Sequence, residues 1–278
     1  MVWRRKKAGF GRRLSRIGQM LRWSLRLALV AVVADLFYLT LTWPDWKALA
    51  IGPVPKSSFI EEYQSRRARD RSLPRLRWSP VPLANVPKTL IRAVILAEDA
   101  RFYEHGGFDL IAFKEAMNYN LAEGRFALGA STISQQTVKN IFLNPSRNPV
   151  RKWHELVLTW GMESNLKKSR ILELYLNVAE FGTGIYGAQA AALAYFDVPV
   201  SRISVEQAAA LAATLPSPEI NNPATRTNAF TRRENKILNR LLRYPGEAAD
   251  AIAVEFWHPD ASGDSRPSST DGSRTGTW

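Results

Sequence analysis

The chain has 278 residues, 46% of them hydrophobic and 10% aromatic, which is enough apolar material for a sizeable core and too much for a chain disordered throughout. It has no cysteine, which excludes a disulfide scaffold, a cysteine-ligated zinc site and a thiol nucleophile. Of the net charge of +13, nine basic residues against Asp35 alone place +8 in residues 1–42 and leave +5 for the rest, so the excess sits beside an apolar run and points to a membrane surface; no nucleic-acid partner is expected.

That run is residues 20–43, MLRWSLRLALVAVVADLFYLTLTW. A bilayer needs about 20 mostly apolar residues, and from Leu27 to Leu41 the sole charge is Asp35. Arg22 and Arg26 can snorkel, and Trp23 and Trp43 bracket the run as interfacial anchors. The flanking positive charge lies on the N-terminal side. Residues 1–19 are therefore expected as a basic cytoplasmic segment, 20–43 as a transmembrane signal-anchor, and everything after Trp43 across the membrane. A cleaved signal peptide is the competing reading, but Val-Val-Ala before Asp35 is a poor cleavage site. Asp35 is costly in a span and is expected to face a partner or the interface.

Residues 44–60 hold prolines and a glycine and read as a linker. Residues 61–87 are charged, carry Pro74, Pro80, Pro82 and Pro87, and read as an irregular lead-in to one mostly helical domain over 61–250. Helical character begins at residues 88–98. Val150, Trp153, Val157 and Trp160 share a helical spacing within 150–166, as do Ile171, Leu174, Tyr175 and Val178 within 170–180. Residues 187–196 are alanine-rich. Ser204-Val-Glu-Gln207 is a capping box opening a helix through Leu215, stopped by Pro216 and Pro218. An amphipathic helix is expected near 229–244, and 251–278 is expected to be a disordered tail. No strand-rich region and no internal repeat stand out.

Three familiar patterns carry little weight. Gly182-Thr-Gly184-Ile-Tyr-Gly187 matches G-x-G-x-x-G, but a helical pattern precedes it where a dinucleotide site needs a strand; a loop with close helix packing is expected instead. His154-Glu155 lacks the second histidine of H-E-x-x-H, because position 158 is Leu. Ser164-Asn-Leu-Lys167 matches S-x-x-K without the companion motifs of a β-lactam-sensitive serine.

Three other segments form a more specific set. Glu98-Asp99-x-x-Phe102-x-x-His105-x-Gly107-x-Asp109 follows an apolar run. Residues 129–140, GASTISQQTVKN, are small, polar and amide-rich and hold Lys139. Arg151-Lys152-x-x-Glu155 opens a helix. Two carboxylates, Glu98 and Glu155, can do acid–base work on sugar hydroxyls. The cations Lys139, Arg147, Arg151 and Lys152 can stabilise a phosphate leaving group.

Together with SRILELYLNVAEFGTGIYGAQAAALAYF at residues 169–196, these segments resemble, in order and over roughly residues 85–220, the glycosyltransferase domain of bacterial peptidoglycan polymerases, the family 51 glycosyltransferases. STISQQTVKNIFL and LNVAEFG are similar to the proteobacterial members. With no transpeptidase module after residue 250, the resemblance implies the monofunctional, membrane-anchored biosynthetic type. Lys114 in FKEA stands where bifunctional relatives often carry Arg, and it offers a point charge in place of a bidentate fork.

The resemblance implies a mainly α fold: a lysozyme-like helical lobe with a smaller membrane-associated jaw, preceded by the N-terminal transmembrane helix. Phe108, Leu110, Ile111, Phe113 and Met117 would fall in the jaw, near the lipid surface. It implies lipid II and the growing glycan strand as substrates, membrane lipid as surroundings, and cell-wall synthesis proteins as candidate partners at the bacterial inner membrane, with a periplasmic catalytic domain. Glu98 matches the glutamate taken as general base, and its apolar approach is expected to desolvate it and raise its pKa. Glu155 matches the second family glutamate, which orients donor groups, helps bind a divalent cation (Mg or Mn) or assists the leaving group; no cofactor is otherwise required. Lys139 and Arg147 are expected at the diphosphate. Ser131, Gln135, Arg151 and Lys152 are expected as substrate contacts, and Asp99 as a turn residue, with His105, that also reaches substrate. Two rival readings stay open on the residues alone: a glycan-cleaving lysozyme-like hydrolase, and a non-catalytic envelope scaffold.

Overall fold

A computed structural model describes residues 3–124, 129, 131–146 and 148–243, with side chains from residue 18 onward. Arg147 and the tail expected over 251–278 lie outside the described residues. The chain forms two units, residues 1–45 and residues 46 onward.

The first unit is one helix, α1 (Trp3–Leu41). Its stretch Gly18–Leu41, 24 residues, is long and apolar enough to cross a membrane. Leu25, Leu29 and Val33 are exposed, as side chains solvated by lipid would be.

The second unit is mostly helical. Its helices are α2 (Trp46–Ile51), α3 (Ser58–Arg69), α4 (Lys88–Glu98), α5 (Leu110–Glu123), α6 (Ile133–Phe142), α7 (Pro149–Asn165), α8 (Lys168–Val178), α9 (Ala188–Phe196), α10 (Val205–Thr214) and α11 (Asn228–Arg243). Leu90, Ile91, Ala93, Val94 and Ile95 are all buried, so α4 is apolar on most of its circumference and has to be enclosed. α10 and α11 pack against it, while α6 packs with α7 and α8. One core joins the two groups, with Ile91 and Val94 of α4, Val138 of α6, Leu172 of α8 and Leu211 of α10 in it.

The helix starts follow from local chemistry. The Ser204–Gln207 capping box is present, and a second one joins Thr132 and Gln135 at α6. Asn148 caps α7 by accepting from the Arg151 amide at 2.7 Å, with Pro149 at the first helical position. Asp109 caps α5 by accepting from the Ala112 amide at 2.8 Å.

The region read as linker and irregular lead-in is more ordered than its prolines suggest. Trp46 and Leu49 of α2 are buried in the core, and α3 carries buried Ile60 and Tyr63. Asn177 of α8 then clasps residue 81: its Oδ1 accepts from the Val81 amide at 2.8 Å and its Nδ2 donates to the Val81 carbonyl at 2.9 Å. Glu173 accepts from the Leu83 amide at 2.8 Å. These bonds replace the ladder or helix partners that a proline-broken segment cannot make for itself.

Strands also form where helix was expected to run to residue 180. α8 stops at Val178, and β2 (Glu180–Gly182) turns back on β3 (Ile185–Tyr186) as an antiparallel hairpin. β1 (Arg77–Trp78) adds on the other side of β3 in parallel, pairing Arg77 with Ile185 and Trp78 with Tyr186. Of the G-x-G-x-x-G glycines, Gly182 ends β2, Gly184 lies in the turn and Gly187 is the exit of this hairpin. Gly187 has φ of +83°, and a Cβ there would lie 2.8 Å from the Asn177 carbonyl oxygen.

Candidate active site

α4 delivers Glu98 at its C-terminal end, and the chain leaves the helix at Asp99. The Glu98 side chain is only 10% exposed. Burial pushes its pKa up; hydrogen bonding from Gln136, the Arg233 guanidinium and the charge of Lys139 oppose that rise. Gln136 Nε2 donates to Oε2 at 2.9 Å, and the Tyr175 hydroxyl donates to Gln136 Oε1 at 3.2 Å, fixing which way the amide points. Arg233 Nη2 donates to Oε1 at 2.7 Å.

Asp99 turns the other way, with its side chain 2% exposed. Its Oδ2 accepts from the Ile133 amide at 3.0 Å, which satisfies an orphan donor at the start of α6, and its Oδ1 lies 2.9 Å from His105 Nε2. Both oxygens are thereby engaged in joining the end of α4 to the start of α6. The turn continues through Lys168, whose Nζ donates to the His105 carbonyl at 2.6 Å and to Glu163 at 2.8 Å and lies 4.4 Å from the Phe102 ring centroid. Gly107 closes it at φ of +91°, where a Cβ would lie 2.8 Å from Thr159 Cγ2.

α6 and α7 supply the cationic part. A cavity of about 410 Å³ is lined by Ser131, Gln136 and Lys139 from one side and by Arg151, Lys152 and Glu155 from the other. Glu155 is buried on α7; Arg151 Nη1 donates to its Oε2 at 2.9 Å, and Lys152 pairs with Oε1. Burial pulls the Lys139 pKa down, opposed first by the carboxylate of Glu155. Gln136 and Lys139 also line a second cavity of about 160 Å³ with Tyr175, Glu180 and Tyr186. Burial, reinforced by Glu219, pushes Glu180 up to about 7.

Of the sequence-expected residues, Ser131, Lys139, Arg151, Lys152 and Glu155 therefore meet in one cavity, and Glu98 joins it through Gln136. Gln135 does not point there: its side chain accepts from the Thr132 amide at 3.1 Å and closes the capping box. Gln136, Phe59, Tyr175, Glu180 and Arg233 were not anticipated. The helical phase of α6 carries a signal for Gln136, since residues 132 and 136 lie about one turn apart and the capping box uses Gln135.

Among the described residues, Glu155 and the Asp99–His105–Asp109 group offer no ready seat for a divalent ion. Asp99, His105 and Asp109 have ligand atoms within 4.8 Å of one another, but Arg101 and the Ala112 amide engage Asp109, and the Ile133 amide and His105 engage Asp99. Both oxygens of Glu155 already face cations. These groups are satisfied by the protein's own donors and do not fit a resident metal.

A transglycosylase family model matches residues 69–242. The chain is 38% identical over 230 residues to the biosynthetic peptidoglycan transglycosylase of Laribacter hongkongensis, covering 81% of this chain and 98% of that one. It is 41% identical over 190 residues to the protein of the same name in Nitrosospira multiformis, covering 67% and 82%. It is 45% identical over 169 residues to that of Ralstonia nicotianae, covering 59% and 71%. A match that spans every helix from α4 to α10, and with it the whole constellation around Glu98 and Glu155, means that the chain belongs to the transglycosylase family.

Proposed function

We propose that this chain polymerises lipid II into β-1,4-linked glycan strands and releases undecaprenyl diphosphate, as a peptidoglycan glycosyltransferase of cell-wall synthesis. The observation that carries the reading is the pairing of a desolvated carboxylate, Glu98, with a neighbouring cavity holding Lys139, Arg151 and Lys152 around Glu155. A hydrolase needs an acid and a water-activating or nucleophilic carboxylate. A transferase acting on a diphosphate needs one base and a set of cations for the departing group.

In this reading the 4-hydroxyl oxygen of the acceptor sugar attacks C1 of the donor. As the new C–O bond forms, the hydroxyl proton passes to a Glu98 oxygen and the C1–O bond to diphosphate breaks with its electron pair. One displacement turns the α-linked diphosphate into a β-glycoside. Burial raises the proton affinity of Glu98 and makes it a better base near neutral pH. Lys139 and Arg147 neutralise the charge developing on the diphosphate, with Arg151 and Lys152 beside it; Ser131 and Gln136 contact the sugars. Glu155 holds Arg151 and Lys152 in place and so orients the cationic wall.

The anchor sets where this happens. Residues 1–19 are cytoplasmic, 20–43 span the bacterial inner membrane and the helical domain lies in the periplasm, in keeping with the placement of the basic residues. The jaw is α5, where Leu110, Ile111, Phe113 and Met117 are exposed, Leu110 at 75% and Phe113 at 52%. Such a patch suits a lipid surface that still holds the substrate's tail.

The test is incubation of the detergent-solubilised full chain with labelled lipid II and, separately, with finished glycan. Polymer from lipid II with glycan left intact supports the reading. Cleavage of glycan without polymerisation turns it into the hydrolase, and inactivity on both turns it into the scaffold.

A further inference from the structure

Arg233 reaches Glu98 from 135 positions away in sequence, from α11, and it does so with two bonds from one nitrogen. Nη2 lies 2.7 Å from Glu98 Oε1 and 3.1 Å from the Ala97 carbonyl oxygen. The second contact satisfies one of the carbonyls left without an amide partner at the end of α4, where the helix dipole also favours a cation. The carboxylate is therefore gripped from both sides, by Arg233 on Oε1 and by Gln136 on Oε2. A carboxylate has about four acceptor positions, so two remain for a substrate hydroxyl.

α11 is firmly seated. Phe230, Ile237 and Leu241 are buried, the Thr227 hydroxyl caps the helix by accepting from the Phe230 amide at 3.1 Å, and Arg92 of α4 donates to the Leu241 carbonyl at 3.3 Å. The arm that holds Glu98 is anchored at both ends of its helix.

We propose that Arg233 is a positioning residue for glycosyl transfer: it fixes the orientation of the Glu98 carboxylate and keeps it ionised in a buried setting so that it can accept the hydroxyl proton. This rests on the reading of Glu98 as the base. The charged and titratable groups facing Glu98 are Arg233 from α11, Lys139 from α6 and Tyr175 from α8, with Asp99 next in the chain; Gln136 is its neutral donor. Arg233 and Lys139 are the cations among them, and Arg233 is the one hydrogen-bonded to the carboxylate. Burial raises the proton affinity of Glu98, and a rise beyond the working pH would leave the protonated acid, which cannot act as a base; the guanidinium limits that rise.

The experiment uses the full chain in detergent with Arg233→Met, Arg233→Gln and Arg233→Lys, and reads lipid II turnover against pH together with the infrared carboxyl band of Glu98, isolated by subtracting the spectrum of Glu98→Gln. Gln keeps a donor for the Ala97 carbonyl and loses the charge, so a fold lost in the Met variant leaves the titration readable in this one. Removing the charge is expected to move both the Glu98 titration and the acid limb of kcat/KM upward by about one to three pH units, the range for an opposite charge at this distance. Turnover near neutral pH then falls about tenfold or more and recovers in alkali, KM stays within about twofold, and Lys, a point charge, restores part of the shift. A Glu98 titration that stays in place while activity drops overturns the assignment of Arg233. A titration that moves while the rate profile does not refutes Glu98 as the base, and with it the role of Arg233 in the reaction, and leaves only the electrostatic hold.

Discussion

Glu180 is a half-buried carboxylate whose protonation the fold alters, and Glu180→Gln tests that directly. Burial and the nearby Glu219 raise it from 4.5 to about 7, against the pull of Arg66, Tyr186 and Lys139. At about 1.36 kcal/mol for each tenfold in proton affinity, keeping it ionised costs the folded state about 3 kcal/mol. Below pH 4.5 the folded and unfolded chains both carry the proton and nothing is lost. Between 4.5 and about 7 the unfolded chain releases it while the folded chain retains it, so stability falls as pH rises. Above about 7 the full cost is present. Glutamine has the same shape, still accepts from Tyr186 and never ionises. The variant is therefore expected to be more stable than the parent by about 3 kcal/mol at pH 8.5 and nearly equal to it at pH 4, the first corresponding to a rise in melting temperature of roughly 6–12 °C for a domain of this size. The assay is urea unfolding of the full chain in detergent, followed by tryptophan fluorescence at the two pH values. A gain that is the same at both, or absent at pH 8.5, would refute the argument that desolvation governs this carboxyl.

Glu98→Gln is expected to cut lipid II turnover by about 10²–10⁴-fold while a non-reactive analogue still binds, whereas Lys139→Ala is expected to weaken turnover and binding together; single-turnover kinetics and direct binding in parallel separate the two. Gly107→Ala places a methyl group 2.8 Å from Thr159 Cγ2 at φ of +91°, so it is expected to destabilise by about 2 kcal/mol or more, read as a lowered urea midpoint. The chain has no cysteine, so Leu110→Cys accepts a single nitroxide label; in vesicles of anionic and zwitterionic lipid the label is expected to be more accessible to oxygen than to a water-soluble nickel complex, and the reverse would place α5 in water. A labelled penicillin is expected not to acylate the chain, because the S-x-x-K match at Ser164 lacks the companion sequence motifs and the Ser164 hydroxyl donates to the Trp160 carbonyl at 2.8 Å; a covalent adduct at Ser164 would contradict this.

Whatever rests on local composition and near neighbours was legible in the linear chain. The stretch of α1 long and apolar enough to cross a membrane follows from length and hydropathy, and the α10 start from a capping box closed within four residues. The segments carrying Glu98 and Glu155 were legible because their residue order survives in the linear chain. Periodicity also placed Val150, Trp153 and Trp160 on one side of α7, but it reports which residues share a face and is silent on what the face meets; these three are exposed. The remaining features depend on partners far apart in sequence and arise only on packing. Residues 77–83 are held by the β1–β3 pairing and by hydrogen bonds to Asn177 and Glu173, from about 90 or more positions away, which no local reading of a proline-rich stretch contains. Of two adjacent glutamines, Gln135 is drawn to its own helix cap and Gln136 to Glu98, a choice set by where α4 ends against α6. Arg233 looks like any arginine on an amphipathic helix until α11 docks on α4, because an ion pair depends on distance in space, and only the packed core brings those two charges within 2.7 Å.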